Sequence, residues 1–207
     1  MKQDLKPTRA ELREVKRKLG VVRRGHGLLK RKQEALMVEF FRGLAHYRNM
    51  EKEAAEVQRA SARGVARAEM ASGRMGVWSF ALTRTGRMRI QNVHKPYMGV
   101  ALPDLNPVLA PDAVSGLVPG EHPQNMEAAN SAEELLRRFV SLAGVEARIR
   151  VILAEIERTK RRVNALELRI MPQLEQDRAF VQSHLDEMER EGLFTLKRVR
   201  AKVGIGK

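Results

Sequence analysis

The sequence contains no cysteine, and only six Phe, two Tyr and one Trp in 207 residues. The missing thiols exclude disulfides and thiolate-held metals and leave the redox compartment open. Aromatics at 4% are few for a globular core, while Asp, Glu, Lys and Arg together make up 31%. That balance suits long helices burying one narrow aliphatic stripe rather than a thick core. No stretch reaches the ~18 consecutive apolar residues of a membrane span, and the first seven residues contain no apolar signal region. A cytoplasmic chain without direct membrane insertion is expected.

Charge of one sign dominates. Thirty-nine Lys and Arg against 25 Asp and Glu give a formal net charge of +14. Within residues 1–32 there are twelve basic side chains and three acidic ones, and within 190–207 six and one. Two basic chain ends fit solvated helix faces, a nucleic-acid surface, or docking on an acidic protein.

Two long helical patterns flank an irregular middle. The first covers residues 8–72, after Pro7, with Thr8 as N-cap and Glu11 three residues on as a capping box. A heptad then runs from Leu12. One set of positions is Leu12, Leu19, His26, Gln33, Phe40, Tyr47 and Ala54. Its companion is Val15, Val22, Leu29, Leu36, Gly43, Met50 and Val57. Eleven of these fourteen are apolar, the signature of a coiled-coil seam. Gly20, Gly25, Gly27 and Gly43 each cost about 1 kcal/mol in a helix interior. Eleven seam residues buried at roughly 1.5 kcal/mol or more apiece outweigh this several-fold, provided that a partner helix covers them.

The partner pattern covers 126–203, with Asn130 or Ser131 as N-cap. Leu135, Leu142, Ile149, Ile156, Val163 and Ile170 keep a seven-residue spacing, interleaved by Phe139, Val145, Ile152, Leu153, Leu166 and Leu174. Beyond Pro172 the seam loosens to Leu174, Val181, Leu185 and Met188, interrupted by Asp177 and His184. Pro172 lacks an N–H and would strike the Leu168 carbonyl, so a kink is expected there. In the middle, 73–125, alternation over Val77–Leu82 with Trp78, Phe80 and Leu82 on one face predicts a strand. Thr83–Gly86 reads as a turn and Arg87–Val93 as a second strand, which together make a small β-hairpin. Six of eight prolines lie from Pro96 to Pro123, predicting an extended loop. The fold expected is mainly α, a long antiparallel two-helix coiled coil with a central β-hairpin and Pro-rich loop. Folded back on itself, such a chain forms a rod on the order of 100 Å long with both basic ends at one tip.

Candidate chemistry is sparse. Gly204-Ile205-Gly206-Lys207 resembles the end of a P-loop but has no Ser/Thr and no following helix, and Gly25-His26-Gly27 follows no strand. His26, His46, His94, His122 and His184 share no metal-ligand spacing, and His26 and His184 read as polar seam residues. Glu51 and Glu53, like Glu187 and Glu189, are two apart on helices and face different ways. No catalytic, cofactor or metal site is expected, nor binding or hydrolysis of nucleotide by the isolated chain.

Several runs carry a resemblance. Pro7-Thr8-Arg9, Gly25 to Leu36, Val93 to Pro103 with Met98-Gly99-Val100 at its centre, Arg161-Arg162-Val163-Asn164-Ala165-Leu166-Glu167 followed by Pro172, and Phe194-Thr195-Leu196-Lys197-Arg198 resemble the D subunit of the V-type/A-type ATPases. They occur in order over nearly the whole chain, departing chiefly between Asp104 and Gln124. The resemblance implies a non-catalytic central-stalk rotor, peripheral to the membrane. Its coiled-coil termini would enter a catalytic hexamer of A and B subunits. Its middle would meet the small F subunit, as well as the subunit linking the stalk to the membrane ring. Hexamer contacts then fall to Arg9, Arg13, Lys16, Arg17, Arg23, Arg24, Lys197, Arg198 and Arg200, and lower-stalk contacts to Trp78, Phe80, Met98, Gly99 and Val100. The competing readings are a basic coiled coil that binds nucleic acid and the stalk of an export-type ATPase. The first lacks a recognised reading module, and the second gives no reason for the central hairpin and Pro-rich loop.

Overall fold

A computed structural model describes residues 7–84, 88–109 and 122–204. The elements in order are helix α1 (Arg9–Thr83), strand β1 (Met88–Tyr97), strand β2 (Val100–Leu109), helix α2 (Pro123–Ala165), a π-helical turn (Leu166–Ile170) and helix α3 (Met171–Gly204). Two long helical arms with a two-stranded antiparallel hairpin between them form a mainly α, coiled-coil-like fold. Contacts divide the chain into two compact units, Met1–Glu34 with Glu157–Lys207, and Ala35–Ile156.

Helix α1 starts where the capping chemistry places it. The Thr8 hydroxyl oxygen accepts the Glu11 N–H at 3.2 Å, and the Thr8 carbonyl accepts the Leu12 N–H at 3.0 Å. None of the fourteen heptad positions is exposed, and Val15, Leu19, Leu36 and Ala54 are fully covered. The helix does not end at Ser72. Gly73 alone takes a non-helical conformation (φ 72°, ψ 165°), open to glycine because it has no Cβ, and the helix resumes to Thr83.

That continuation overturns the expected strand at Val77–Leu82. Trp78, Phe80 and Leu82 are helical, so Phe80 turns inward at 6% exposure while Trp78 points to solvent at 64%. Alternation over six residues is outweighed by the preceding helix and by the equally helical spacing of Met75, Trp78 and Leu82. The hairpin lies further on, from Met88↔Leu109 to Tyr97↔Val100. It occupies part of what the prolines suggest is loop. Met98 (φ 50°) and Gly99 (φ 77°) form its two-residue turn, both left-handed as a type I′ turn requires. Tyr97 and Val100 flank that turn as a hydrogen-bonded pair, so hydrogen-bonded pairing alternates outward from there. Pro96↔Ala101, His94↔Pro103 and Ile90↔Pro107 then all fall on non-hydrogen-bonded pairs. Each proline's missing N–H faces away from the partner strand, which a two-stranded ribbon tolerates.

In the second unit, the hairpin lies on the helices through β2. Leu102 joins Leu36, Ile152 and Ile156 in a buried cluster, with Phe40, Tyr97, Val100 and Val151 against it. Where α1 passes α2, the seam uses small residues. A Cβ on Gly64 would lie 3.1 Å from Ser131 Oγ, and Ser61, Ala68 and Ala128 are buried nearby in the sequence pattern. Helix α2 begins at Pro123, ahead of the expected Asn130 or Ser131 cap, with proline at its first position, where no N–H is required.

The first unit is antiparallel, with Arg9 against Glu189 at 2.6 Å and Arg23 against Glu175 at 2.7 Å. The kink expected at Pro172 takes the form of a π turn. The Met171 N–H donates to the Leu166 carbonyl five residues back, immediately before the proline. One extra residue in the turn moves the seam by one position. Before it, Ile156, Thr159 and Val163 are buried, and Ile170, next in the seven-residue series, is 39% exposed. Met171 and Leu174 take up the inward phase, and Val181 is fully buried. Phe139 and Leu153, expected in the companion set, are also exposed, and Thr159 occupies an inward position instead.

One ionic cluster ties the hairpin to α2. Asp104 on β2 lies 2.5 Å from Lys95 Nζ and 2.9 Å from Arg148 Nη2. The hydrogen bond from Lys95 holds the Asp104 carboxyl below its usual range; partial burial opposes this, while the charges of Lys95 and Arg148 reinforce it. A depressed carboxylate contributes stability that is complete above the unfolded-chain value of about 3.9 and is lost as pH falls through the folded value. Acidification from about pH 6 to about pH 2.5 is therefore expected to accelerate amide exchange in Met88–Leu109. Asp104→Asn should show faster exchange already at the higher pH and no hairpin-specific acid step.

Candidate functional site

The nine basic residues assigned to one tip are all exposed in the first unit. They divide into two sets. Arg9 and Arg23 are held by Glu189 and Glu175 across the helix pair. Arg13, Lys16, Arg17 and Arg24 form no ion pair with another described residue, although Arg17 lies near Glu14. The Glu14 carboxyl is pulled below its usual range mainly by the hydrogen bond from Lys18, which sits 2.9 Å away. Lys197, Arg198 and Arg200 do not lie beside the α1 set. With Arg9 opposite Glu189, residues 190–204 run on past the described start of α1, about 22 Å of helix at 1.5 Å per residue.

That extension carries more than charge. Leu193, Phe194, Leu196 and Val199 are between 53% and 71% exposed, and every residue from 186 to 202 is exposed. Apolar side chains without a covering helix form a contact surface rather than a seam. The signal is present in the sequence: α1 begins at Thr8, so α3 outlasts it unless the chain ends are in register.

The five residues assigned to the other end are not one patch. Trp78 lies on the helical segment beyond Gly73, with Phe80 buried behind it under the Arg84 guanidinium, 5.4 Å from the ring centre. Met98 and Gly99 form the hairpin turn, and Val100 packs on the Leu36–Ile152 cluster beside Phe40. From Phe40 to Gly73, α1 rises on the order of 50 Å, so Trp78 and Met98 present two separate apolar points. Phe80 and Val100 act as supports, not contacts.

No group of three or more His, Asp or Glu among the described residues is placed to hold a metal ion, and no helix there is long and apolar enough to cross a membrane. An elongated pair of helices with a charged, apolar-studded end is built to touch other proteins.

The family model for the ATP synthase D subunit matches residues 11–201. This chain belongs to that family. Among curated relatives, the A-type ATP synthase D subunit of Methanoregula boonei is 35% identical over 202 residues, covering 96% of this chain and 97% of the relative. Those of Methanosarcina acetivorans and Pyrococcus horikoshii are each 37% identical, over 204 and 201 residues, covering 97% and 95% of this chain and 98% and 94% of the relatives. The match takes in both helical arms, the hairpin and the exposed end of α3.

The α3 extension yields a direct test. Phe194→Ser and Leu196→Ser together should leave the melting temperature of the isolated chain within the small range of ordinary surface changes, about 0.5 kcal/mol. Val181→Ser, by comparison, should lower it by several degrees, as calorimetry would show.

Proposed function

We propose that this chain is the central rotor shaft of a V/A-type ATP synthase, transmitting torque between a catalytic hexamer of A and B subunits and the ion-translocating ring, and catalysing nothing itself. Family membership over nearly the whole chain supports the assignment to such a complex. The observation that carries the mechanical role is the end of the first unit. There a paired-helix surface rich in unpaired Arg and Lys continues into a single helix with both apolar and basic side chains exposed.

The physics favours a charged contact. A shaft turning in a ring must release and re-form its grip at each of three equivalent positions. Exposed ion pairs are individually worth only ~0.2–1 kcal/mol, so long Lys and Arg side chains can pass between acidic groups over small barriers. Arg13, Lys16, Arg17 and Arg24, with Lys197, Arg198 and Arg200, would meet acidic surfaces of the hexamer. Arg9 and Arg23 would contribute through pairs they already make. At the other unit, Trp78 and Met98 would contact two lower-stalk partners, the small F subunit together with the subunit linking the stalk to the ring. Phe80, Gly99 and Val100 would hold those two side chains in position. Such a chain works as a cytoplasmic component peripheral to the membrane.

Neutralising Arg13, Lys16, Arg17, Arg24, Lys197, Arg198 and Arg200 together should weaken assembly with A and B subunits and make it more salt-sensitive, while any single change is nearly silent. The melting temperature of the isolated chain should barely move, because these side chains lie outside the seam. Normal assembly and normal coupling of ATP turnover to rotation in the multiple variant would refute the grip. Salt-dependent retention of the wild-type chain on DNA, without binding to A and B subunits, would refute the rotor.

A further inference from the structure

Helix-weakening features in the first unit gather at one level. Gly25 and Gly27 lie within α1 in helical conformation, and a Cβ at either would meet nothing within 4 Å. Neither conformation nor close packing calls for glycine there. This contrasts with Gly43 and Gly64, where a Cβ would stand 3.2 Å from Ile149 and 3.1 Å from Ser131. Gly20, one turn earlier, is equally open. Each such glycine loosens a helix relative to alanine.

Between Gly25 and Gly27, His26 occupies a seam position. Its Nε2 is shielded from solvent, has no hydrogen-bond partner among the described residues, and lies 3.6 Å from Glu167 Oε2. Glu167 belongs to the π turn Leu166–Ile170. The glycines of one helix therefore stand opposite the irregular turn of the other, with Pro172 two residues past it. At this level one helix has its weakest propensity, its partner has lost the regular i→i−4 hydrogen bonds, and the seam between them holds a poorly satisfied polar group. Firm seam residues lie on both sides: Val15, Leu19 and Val181 toward the chain ends, Thr159 and Val163 toward the other.

We infer that residues 20–27 of α1 and 166–172 opposite form a soft joint in the helix pair, a place where it bends or twists while the seam on either side stays closed. The π turn suits this role, because a π turn absorbs a one-residue change of phase without breaking the helix. Gly25 and Gly27 give the facing helix the same freedom. The inference rests on the chain's own geometry and stands or falls apart from the rotor reading.

Hydrogen exchange followed by mass spectrometry on the full chain tests it. Amides in 21–29 and 165–173 should exchange faster than those on both sides, making a local minimum of protection rather than a decline toward the chain ends. Gly25→Ala with Gly27→Ala should slow exchange about fivefold per substitution. The slowing should reach 165–173 as well as α1, because the two form one joint. Gly192→Ala, also in open space but on the exposed end of α3, should leave both segments unchanged. Protection that is uniform through the joint, or that falls steadily toward the termini, would overturn the inference. So would an alanine effect confined to α1, which would mean two unrelated weak spots.

Discussion

Mutual burial of two narrow apolar stripes is the constraint on which everything else depends. Neither long arm has a core of its own, and with 31% of residues charged most other faces belong to solvent. Each fully buried aliphatic such as Leu36, Ile152 or Val181 contributes about 1.5–3 kcal/mol only while the opposite helix covers it. Pairing therefore fixes what the other residues can do. It turns Arg and Lys outward, and it leaves the end of α3 bare because α1 starts where it does. It also sets the level at which Gly25 and Gly27 face the π turn.

The hairpin is secondary to that pairing and depends on it. Two strands alone are marginal in water. Here Leu102 is inserted among Leu36, Ile152 and Ile156, and Asp104 is clasped by Lys95 and Arg148. Met98 adopts a left-handed conformation that costs an ordinary residue roughly 1–2 kcal/mol. It is 53% exposed at the turn, so packing on its own chain does little to compensate. A strained, exposed apolar residue at a turn fits a point of contact better than a structural need.

Much of this is legible in the residues, for identifiable reasons. The α1 heptad can be read directly because its fourteen positions keep one phase. The strand expected at Val77–Leu82 fails because six alternating residues also fit a helix when a long helix leads into them. The true strands are hidden by Pro96, Pro103 and Pro107, which look like loop until the register puts all three on non-hydrogen-bonded pairs. In the last third, seven-residue counting carries Ile170 into the seam, while Leu174, Val181 and Leu185 already stand one residue out of that phase. Pro172 marks the place but not the form, since a kink and a π turn both relieve its clash. The family runs point to contact residues, but only the pairing of Arg9 with Glu189 separates Lys197, Arg198 and Arg200 from the α1 set. Only the helical placement of Trp78 separates it from Met98.

The account turns most directly on the phase shift, because it claims that one seam runs through the first unit with a single extra residue absorbed at 166–170. Deleting Ile170 together with Pro172→Ala removes that residue and the clash that goes with it. The remaining helix then carries Val163, Leu166, Leu174 and Val181 in one continuous heptad. Thermal unfolding followed by circular dichroism should give a melting temperature equal to or above that of the parent. Deletion of Arg178 instead, which throws Val181 and Leu185 out of phase, should lower it by several degrees. If the two deletions destabilise equally, the π turn is not a phase correction and the seam described here is wrong.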